Sequence, residues 1–210
     1  MWTREYVITV LVITIATLTI GFFVWNSGTQ QLSPGTYNFT CEGWCHGAES
    51  PLVIIDAYPD FECPICVNKQ KLIMQALDIY PDEVRLDYHH YPYNDFSYKL
   101  AEALEAAGEQ GKFWELHDKI FLQAVPGDMS DLLAAAEDVG LDMVLFNDSL
   151  NSGKFTDKVL ADREQAISDG ARPMSVYING NEYRKYPGTP ADLCSAIDEE
   201  LERIEANGGN

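Results

Sequence analysis

Two cysteines with two residues between them, Cys63 and Cys66, have the spacing best suited to chemistry in this chain. They lie in Cys63-Pro64-Ile65-Cys66, where a predicted strand ends and a predicted helix begins. The N–H groups and the dipole at a helix N-terminus stabilise negative charge, so we expect Cys63 to ionise readily. Cys66, one turn later, is close enough to form a disulfide with Cys63 and is expected to be more buried. The spacing therefore indicates a reversible two-cysteine redox centre.

Two other interpretations of this cysteine pair remain. It is half of a zinc site if a second half exists, but the sequence contains no other C-x-x-C and no H-x-x-x-H. It is an inert structural disulfide if neither thiol exchanges. The position between a strand and a helix favours the redox interpretation.

The elements that must position the pair follow from hydrophobic patterning. Residues 51–57 form an apolar, β-branched run typical of a buried strand, residues 64–80 a helix, and residues 83–91 a second strand. Residues 95–170 predict four or five helices. Two short strands joined at Asn179-Gly180 predict a hairpin, and Thr189 with Pro190 predicts the start of a last helix. The order predicts an α/β domain that carries an all-helical insertion at about residues 95–170.

The N-terminus predicts export. Residues 7–25 contain no charge and are long enough to cross about 30 Å of hydrocarbon. Arg4 precedes this segment and the next Lys or Arg is Lys69, which favours a cytoplasmic N-terminus and an extracytoplasmic domain. A cleaved signal peptide is the alternative, although its apolar core is usually only about 7–15 residues long. We therefore expect a single-pass anchor at residues 1–25, a linker at 26–50 and the folded domain at 51–206.

The overall composition excludes one class of partner. Acidic residues number 33 and basic residues 14, giving a net charge of −19. So negative a surface repels phosphate backbones, and no basic cluster interrupts it, which argues against nucleic acid as a partner.

The segment Cys41-Glu42-Gly43-Trp44-Cys45-His46 allows several interpretations. An exported domain favours a small disulfide between Cys41 and Cys45. The two cysteines are alternatively a second redox pair, a haem attachment site one residue longer than usual, or a Cu(I) site with His46. Cys194, beside the apolar stripe of the last helix, is expected to be buried, or else paired with Cys41 or Cys45.

Three segments together resemble the DsbA family of thiol–disulfide oxidoreductases. They are DFECPIC with the helix after it, HHYPYNDFSYKLAEALEAAGEQGKFWELHDKIF, and ARPMSVYING. The resemblance covers about residues 51–205. It implies a thioredoxin fold with a helical insertion, with Cys63 as the exposed nucleophile and Cys66 as the resolving cysteine.

The resemblance assigns two further residues and shows two departures. Pro173 matches the family's cis-proline, which faces the cysteine pair and shapes the substrate groove, and Arg172 takes the preceding place, where relatives commonly have Thr or Val. The dipeptide Pro64-Ile65 lacks the His that helps to stabilise the thiolate. Acidic residues at positions 60 and 62 also disfavour a thiolate at position 63. Both departures predict a weaker oxidant than the family's strongest members.

The resulting functional prediction is disulfide formation in exported proteins by dithiol–disulfide exchange, with no cofactor beyond the cysteines. The implied substrates are exported proteins with thiols. The implied partner is a membrane reoxidant of the DsbB or vitamin K epoxide reductase type. A reductase or isomerase is the nearest alternative, and a copper- or haem-binding protein using Cys41, Cys45 and His46 is the second.

Overall fold

The computed structural model describes residues 41, 43–61, 63–123, 125–173, 175–185 and 188–208. The predicted anchor at residues 1–25 and most of the predicted linker lie outside these ranges. Within them, none of the helices has both the length and the apolar character needed to cross a membrane.

A five-stranded sheet lies at the centre of the described residues. Its strands are β1 (Trp44–Gly47), β2 (Val53–Ala57), β3 (Val84–Tyr88), β4 (Val176–Ile178) and β5 (Asn181–Glu182), in the order β1-β3-β2-β4-β5. Strands β2 and β3 run parallel, and the other pairs are antiparallel. Four of the five residues in each parallel strand are buried, which is typical of parallel strands covered on both faces of the sheet.

The helices are α1 (Pro64–Ile79), α2 (Asp95–Glu109), α3 (Phe113–Asp118), α4 (Met129–Asp138), α5 (Met143–Ser152), α6 (Thr156–Ser168) and α7 (Pro190–Ala206). A π-helical turn at Lys119–Gln123 continues α3. Helices α2 to α6 form the predicted insertion, while α1 packs against α7 and β3. The predicted fold class is confirmed for these elements.

Local chemistry sets the element ends as the sequence predicts. Thr189 caps α7 through a reciprocal pair of hydrogen bonds with Asp192, and Pro190 takes the first helical position. In the β4–β5 turn Asn179 has φ 43° and Gly180 has φ 75°. The Asn179 side chain accepts from Ile54 N at 2.8 Å, so the turn also binds the neighbouring strand β2.

The prediction of a linker up to residue 50 is wrong at its end, because Trp44–Gly47 forms the edge strand β1 on β3. This strand has only four residues and no apolar alternation, so the usual strand signal is missing. Packing by Trp44 compensates: its ring stacks on Phe113 with centroids 4.1 Å apart, and its Nε1 donates to Glu105 Oε1 at 2.8 Å.

Glu105 is a buried carboxylate on α2 that holds β1 to the insertion. Besides the Trp44 indole, His90 Nε2 lies 3.0 Å from Glu105 Oε1, and Lys158 donates to the other carboxylate oxygen. Burial alone raises the pKa of Glu105, but the bonds from His90, Lys158 and Trp44 lower it below its ordinary value. The carboxylate is therefore ionised and joins β1, α2 and α6.

Candidate active site

Cys63 is the N-cap residue of α1, as the sequence predicts. Its backbone is extended, with φ −96° and ψ 110°, and Pro64 follows as the first helical residue. The Cys63 sulfur accepts a hydrogen bond from the backbone N–H of Cys66 at 3.4 Å. A sulfur at this position receives a helix N–H directly and lies at the positive end of the helix dipole.

The two cysteines differ in exposure, and both are present as thiols. Cys63 is half-buried, whereas Cys66 is 2% exposed. Burial raises the pKa of the Cys66 thiol far above its ordinary value. The Asp60 backbone opposes this shift, while Cys63 and the Asp60 carboxylate add to it. Cys66 is therefore the residue that holds its proton.

A small cleft opens beside Cys66. Its walls come from the end of β2, from α1 and from the start of β4, and its lining residues are Ala57, Tyr58, Pro59, Cys66, Lys69, Gln70, Ile73, Ser175 and Val176. Its volume is about 10 Å³. The β4 end of this cleft directly follows the predicted substrate-binding turn.

Pro173 and Arg172 lie in that turn, and both are exposed. Ser175 closes the turn, because its N–H donates to Arg172 O at 3.0 Å and its hydroxyl donates to the same oxygen at 2.6 Å. The Arg172 guanidinium forms an ion pair with Glu182 on β5. The positive charge of Arg172 is thus paired with a carboxylate. The cis bond at Pro173 stays a prediction.

His89 contributes a positive charge at the edge of the cleft. Its ring stacks on the cleft residue Tyr58 with centroids 4.7 Å apart. Its Nε2 lies 3.3 Å from Asp56 Oδ1, and its Nδ1 lies 3.7 Å from Asp162 Oδ1. Burial lowers the pKa of His89, but hydrogen bonds to Asp162 and Asp56 outweigh it and raise the pKa to about 9. His89 is therefore an imidazolium at neutral pH.

Cys41 and Cys45 are joined by a disulfide with a Cα–Cα distance of 6.1 Å, the first of the interpretations considered from the sequence. Their sulfurs are bonded to each other, and the His46 ring packs on Trp114 with centroids 4.9 Å apart. In this state neither sulfur is available to bind copper or haem. Cys194 is a half-buried thiol, so both the expectation that it is buried and the alternative pairing with Cys41 or Cys45 are wrong.

The structure adds a residue that sequence reasoning missed. Gln70 is 1% exposed and lines the same cleft as Cys66. The signal was present in the spacing, since residues four apart on a helix share a face. However, nothing else in the sequence marks Gln70 as a residue of the site.

A family model described as "Thioredoxin" matches residues 40–199. The chain belongs to the thioredoxin family. A thioredoxin-like oxidoreductase from Silicibacter pomeroyi has a similar fold, with a TM-score of 0.68 and 20% identity, over 80% of this chain and 99% of that one. BdbD from Bacillus subtilis matches with a TM-score of 0.64 and 18% identity, over 75% of this chain and 92% of its own. The predicted resemblance to DsbA-type oxidoreductases is confirmed at the level of the fold.

The curated proteins that match this thioredoxin-family chain in sequence are named as ion antiporters, not as oxidoreductases. The Na(+)/H(+) antiporter NhaA 3 of Salinispora tropica is 32% identical over 139 residues, which is 64% of this chain and 21% of that protein. The NhaA 1 antiporter of Salinispora arenicola matches similarly, at 32% over 141 residues. The chain thus spans about a fifth of the length of these relatives.

Proposed function

We propose that this chain oxidises thiols of exported proteins to disulfides through Cys63 and Cys66. The observation that carries the proposal is the geometry of the pair. A half-exposed sulfur at the N-cap of α1 accepts a helix N–H, and a buried sulfur lies one turn behind it. Such an arrangement gives the two sulfurs separate roles, nucleophile at Cys63 and resolving residue at Cys66.

The cycle begins with the Cys63–Cys66 disulfide. A substrate thiolate attacks the Cys63 sulfur, a substrate–Cys63 bond forms, and the electron pair of the broken bond leaves on Cys66, which takes a proton. A second substrate thiolate then attacks the substrate sulfur of this mixed disulfide and releases Cys63 as a thiolate. The substrate loses two electrons and the cysteine pair gains them, so the cycle needs no metal or organic cofactor.

Reoxidation requires an electron acceptor, for which we propose a membrane protein of the DsbB or vitamin K epoxide reductase type. The uncharged segment at residues 7–25 supports a membrane anchor that keeps the domain close to it. The relatives named as Na(+)/H(+) antiporters also support action at a membrane. Labelling of Cys63 in intact cells with a membrane-impermeant maleimide tests this location. Labelling only after lysis would contradict it.

The direction of exchange is the part of the proposal most open to test. The Asp60 carboxylate and the dipeptide Pro64-Ile65 favour a less oxidising pair, which makes a reductase or isomerase the alternative. Because the proposed direction is oxidation, we expect a reduction potential below the value of about −120 mV typical of the strongest oxidants but clearly above the value of about −270 mV for thioredoxin. Equilibration with glutathione buffers measures it, and a value at the lower end would assign a reductase.

Covalent trapping tests the exchange chemistry itself. In a Cys66→Ser variant, mixed disulfides with substrates should accumulate on Cys63, because the resolving thiol is absent. A Cys63→Ser variant should trap far less, since its remaining thiol is buried. Cys194→Ser is the matched control, because Cys194 is a half-buried thiol away from the pair. This variant should trap substrates at the level of the wild type. Equal trapping in all three variants would refute the assignment of Cys63 as the nucleophile.

A further inference from the structure

The π-helical turn at Lys119–Gln123 packs against the active-site helix α1 and against α4. Such turns are rare in proteins and occur frequently at functional sites. Lys119 fixes one side of the turn through an ion pair with Asp138 on α4, with 2.9 Å between nitrogen and oxygen. Phe121, at the centre of the turn, is 1% exposed. An irregular turn held in this way against α1 directs attention to what the Phe121 ring contacts.

Phe121 stacks on Phe61, which is 3% exposed, and their ring centroids are 4.2 Å apart with the planes inclined by 22°. Stacked aromatic pairs stabilise a structure beyond the burial of their surface. Phe61 lies two residues before Cys63, in the segment between β2 and α1. The Cys63 N–H closes a turn in this segment, because it donates to Asp60 O at 3.3 Å. The stack therefore joins the helical insertion to the turn that carries Cys63.

The position of Cys63 determines how well α1 can stabilise its thiolate. The sulfur accepts the Cys66 N–H at 3.4 Å, and the extended backbone of an N-cap residue brings it there. The effect of the helix dipole also falls off within the first turn. A small movement of residue 63 would therefore weaken both the hydrogen bond and the dipole interaction.

We propose that Phe121 is a positioning residue for Cys63 and acts through its stack on Phe61. The inference rests on the proposed function, because it concerns the nucleophile of that reaction. The stack holds the turn before α1, and the turn holds the Cys63 sulfur at the helix N-terminus. Without the aromatic pair, residues 60–63 gain conformational freedom, and the sulfur accepts the Cys66 N–H for a smaller fraction of the time. Less of Cys63 is then ionised and able to exchange.

Alkylation by iodoacetamide tests this role directly on Cys63. The background is Cys66→Ser with Cys194→Ser, which removes the other two free thiols that the structure describes. Losing an N-cap interaction lowers the thiolate fraction by about fivefold, and the greater nucleophilicity of a more basic thiolate restores about twofold. We therefore expect Phe121→Leu to slow alkylation at pH 5.5 by about two- to threefold. At pH 10, where the thiolate forms in either protein, the rate should equal or slightly exceed that of the background.

Two comparisons separate positioning from a general loss of packing. Phe146→Leu is the matched control, because Phe146 is also fully buried in the same core but lies on α5, and it should leave alkylation unchanged at both pH values. Phe61→Leu should slow alkylation as Phe121→Leu does, and the double variant should be no slower, since both act through one stack. Additive slowing, equal slowing by Phe146→Leu, or an unchanged rate in Phe121→Leu would overturn the inference. Phe121→Met is the second replacement if Phe121→Leu does not fold.

Oxidation of a dithiol model peptide by the oxidised wild-type protein separates this inference from the proposed function. If the wild type does not oxidise the peptide, the proposed function fails, and the inference fails with it. If the wild type oxidises the peptide but Phe121→Leu keeps the alkylation rates of the background at both pH values, only the inference fails.

Discussion

Gly108 in α2 provides the sharpest test of how β1 is attached to the domain. The Trp44 ring lies directly over it: a Cβ added at Gly108 would overlap ring carbons Cζ2 and Cη2 and would lie 3.3 Å from Cε2. The ring cannot move freely, because it stacks on Phe113 and its Nε1 donates to Glu105. Gly108→Ala therefore forces a rigid indole out of a position fixed on two other sides.

The expected magnitude combines three effects. Alanine favours the helix by about 1 kcal/mol relative to glycine. Overpacking a rigid contact costs about 1–3 kcal/mol. Weakening the Trp44 bond to the Glu105 carboxylate costs about 1.5–3 kcal/mol more. We expect Gly108→Ala to lower the free energy of unfolding by about 2–4 kcal/mol, measured by urea denaturation followed by circular dichroism.

A double-mutant cycle separates the clash from any other effect of the substitution. In a Trp44→Leu background the overlapping ring carbons are gone, so Gly108→Ala should there raise stability by about 1 kcal/mol through helix propensity alone. A single variant Gly108→Ala as stable as the wild type would refute the packing described for Trp44. The same loss in both backgrounds would show that its cause is not the indole.

Three further predictions concern charges and the first disulfide. Glu105→Gln should lower the free energy of unfolding by about 2 kcal/mol in urea denaturation, because a buried carboxylate loses charge-assisted hydrogen bonds. Joint replacement of Cys41 and Cys45 by Ser should lower it by about 2 kcal/mol, the chain-entropy value for so short a loop, while dithiothreitol still reduces the Cys63–Cys66 pair at the wild-type rate. His89, whose folded-state pKa is raised to about 9 despite burial, stabilises the fold fully below pH 6.5, and this contribution should fall as the pH rises through 9. We expect that loss to be about 1–2 kcal/mol after screening, measured by urea denaturation at pH 6 and pH 10.

The predictions for Glu105 and His89 each have a control variant. Glu109→Gln, on the same helix but with a largely exposed carboxylate, should change stability by under about 1 kcal/mol. If Glu109→Gln lowered the free energy of unfolding as much as Glu105→Gln does, burial of the carboxylate would not explain the effect at Glu105. His89→Gln should abolish the alkaline loss of stability. If the stability of His89→Gln still fell between pH 6 and pH 10 as in the wild type, the loss would come from other titratable groups.

The sequence predicted most reliably the features that depend on neighbouring residues. The turn at Asn179-Gly180, the cap at Thr189 and the helix start at Pro64 are each set by a few adjacent side chains, and each was confirmed. Cys63 and Cys66 were recognised for the same reason, because their spacing on one turn carries the signal. The burial of Cys66 also followed from helix geometry, since its face points toward the sheet.

The features that the sequence did not reveal depend on residues distant along the chain. Trp44 and Glu105 are 61 positions apart, so their hydrogen bond left no local pattern. The sequence consequently predicts a linker where strand β1 forms. The contact of His90 with Glu105, 15 positions later, leaves no local pattern either, because Glu105 lies on an insertion helix.

The strand register bears on whether Cys41 and Cys45 relay electrons to the active pair. Trp44 and Ala57 are both in register with Tyr88, so β1 begins at the end of the sheet from which β2 leads to Cys63. However, β3 separates β1 from β2, which places them about 10 Å apart, whereas a disulfide bond spans about 2 Å. Cys45 lies within β1, and the contacts of Trp44 hold that strand on the sheet. The geometry therefore favours a structural disulfide, and slower reduction of the active pair in the double Ser variant would contradict that conclusion.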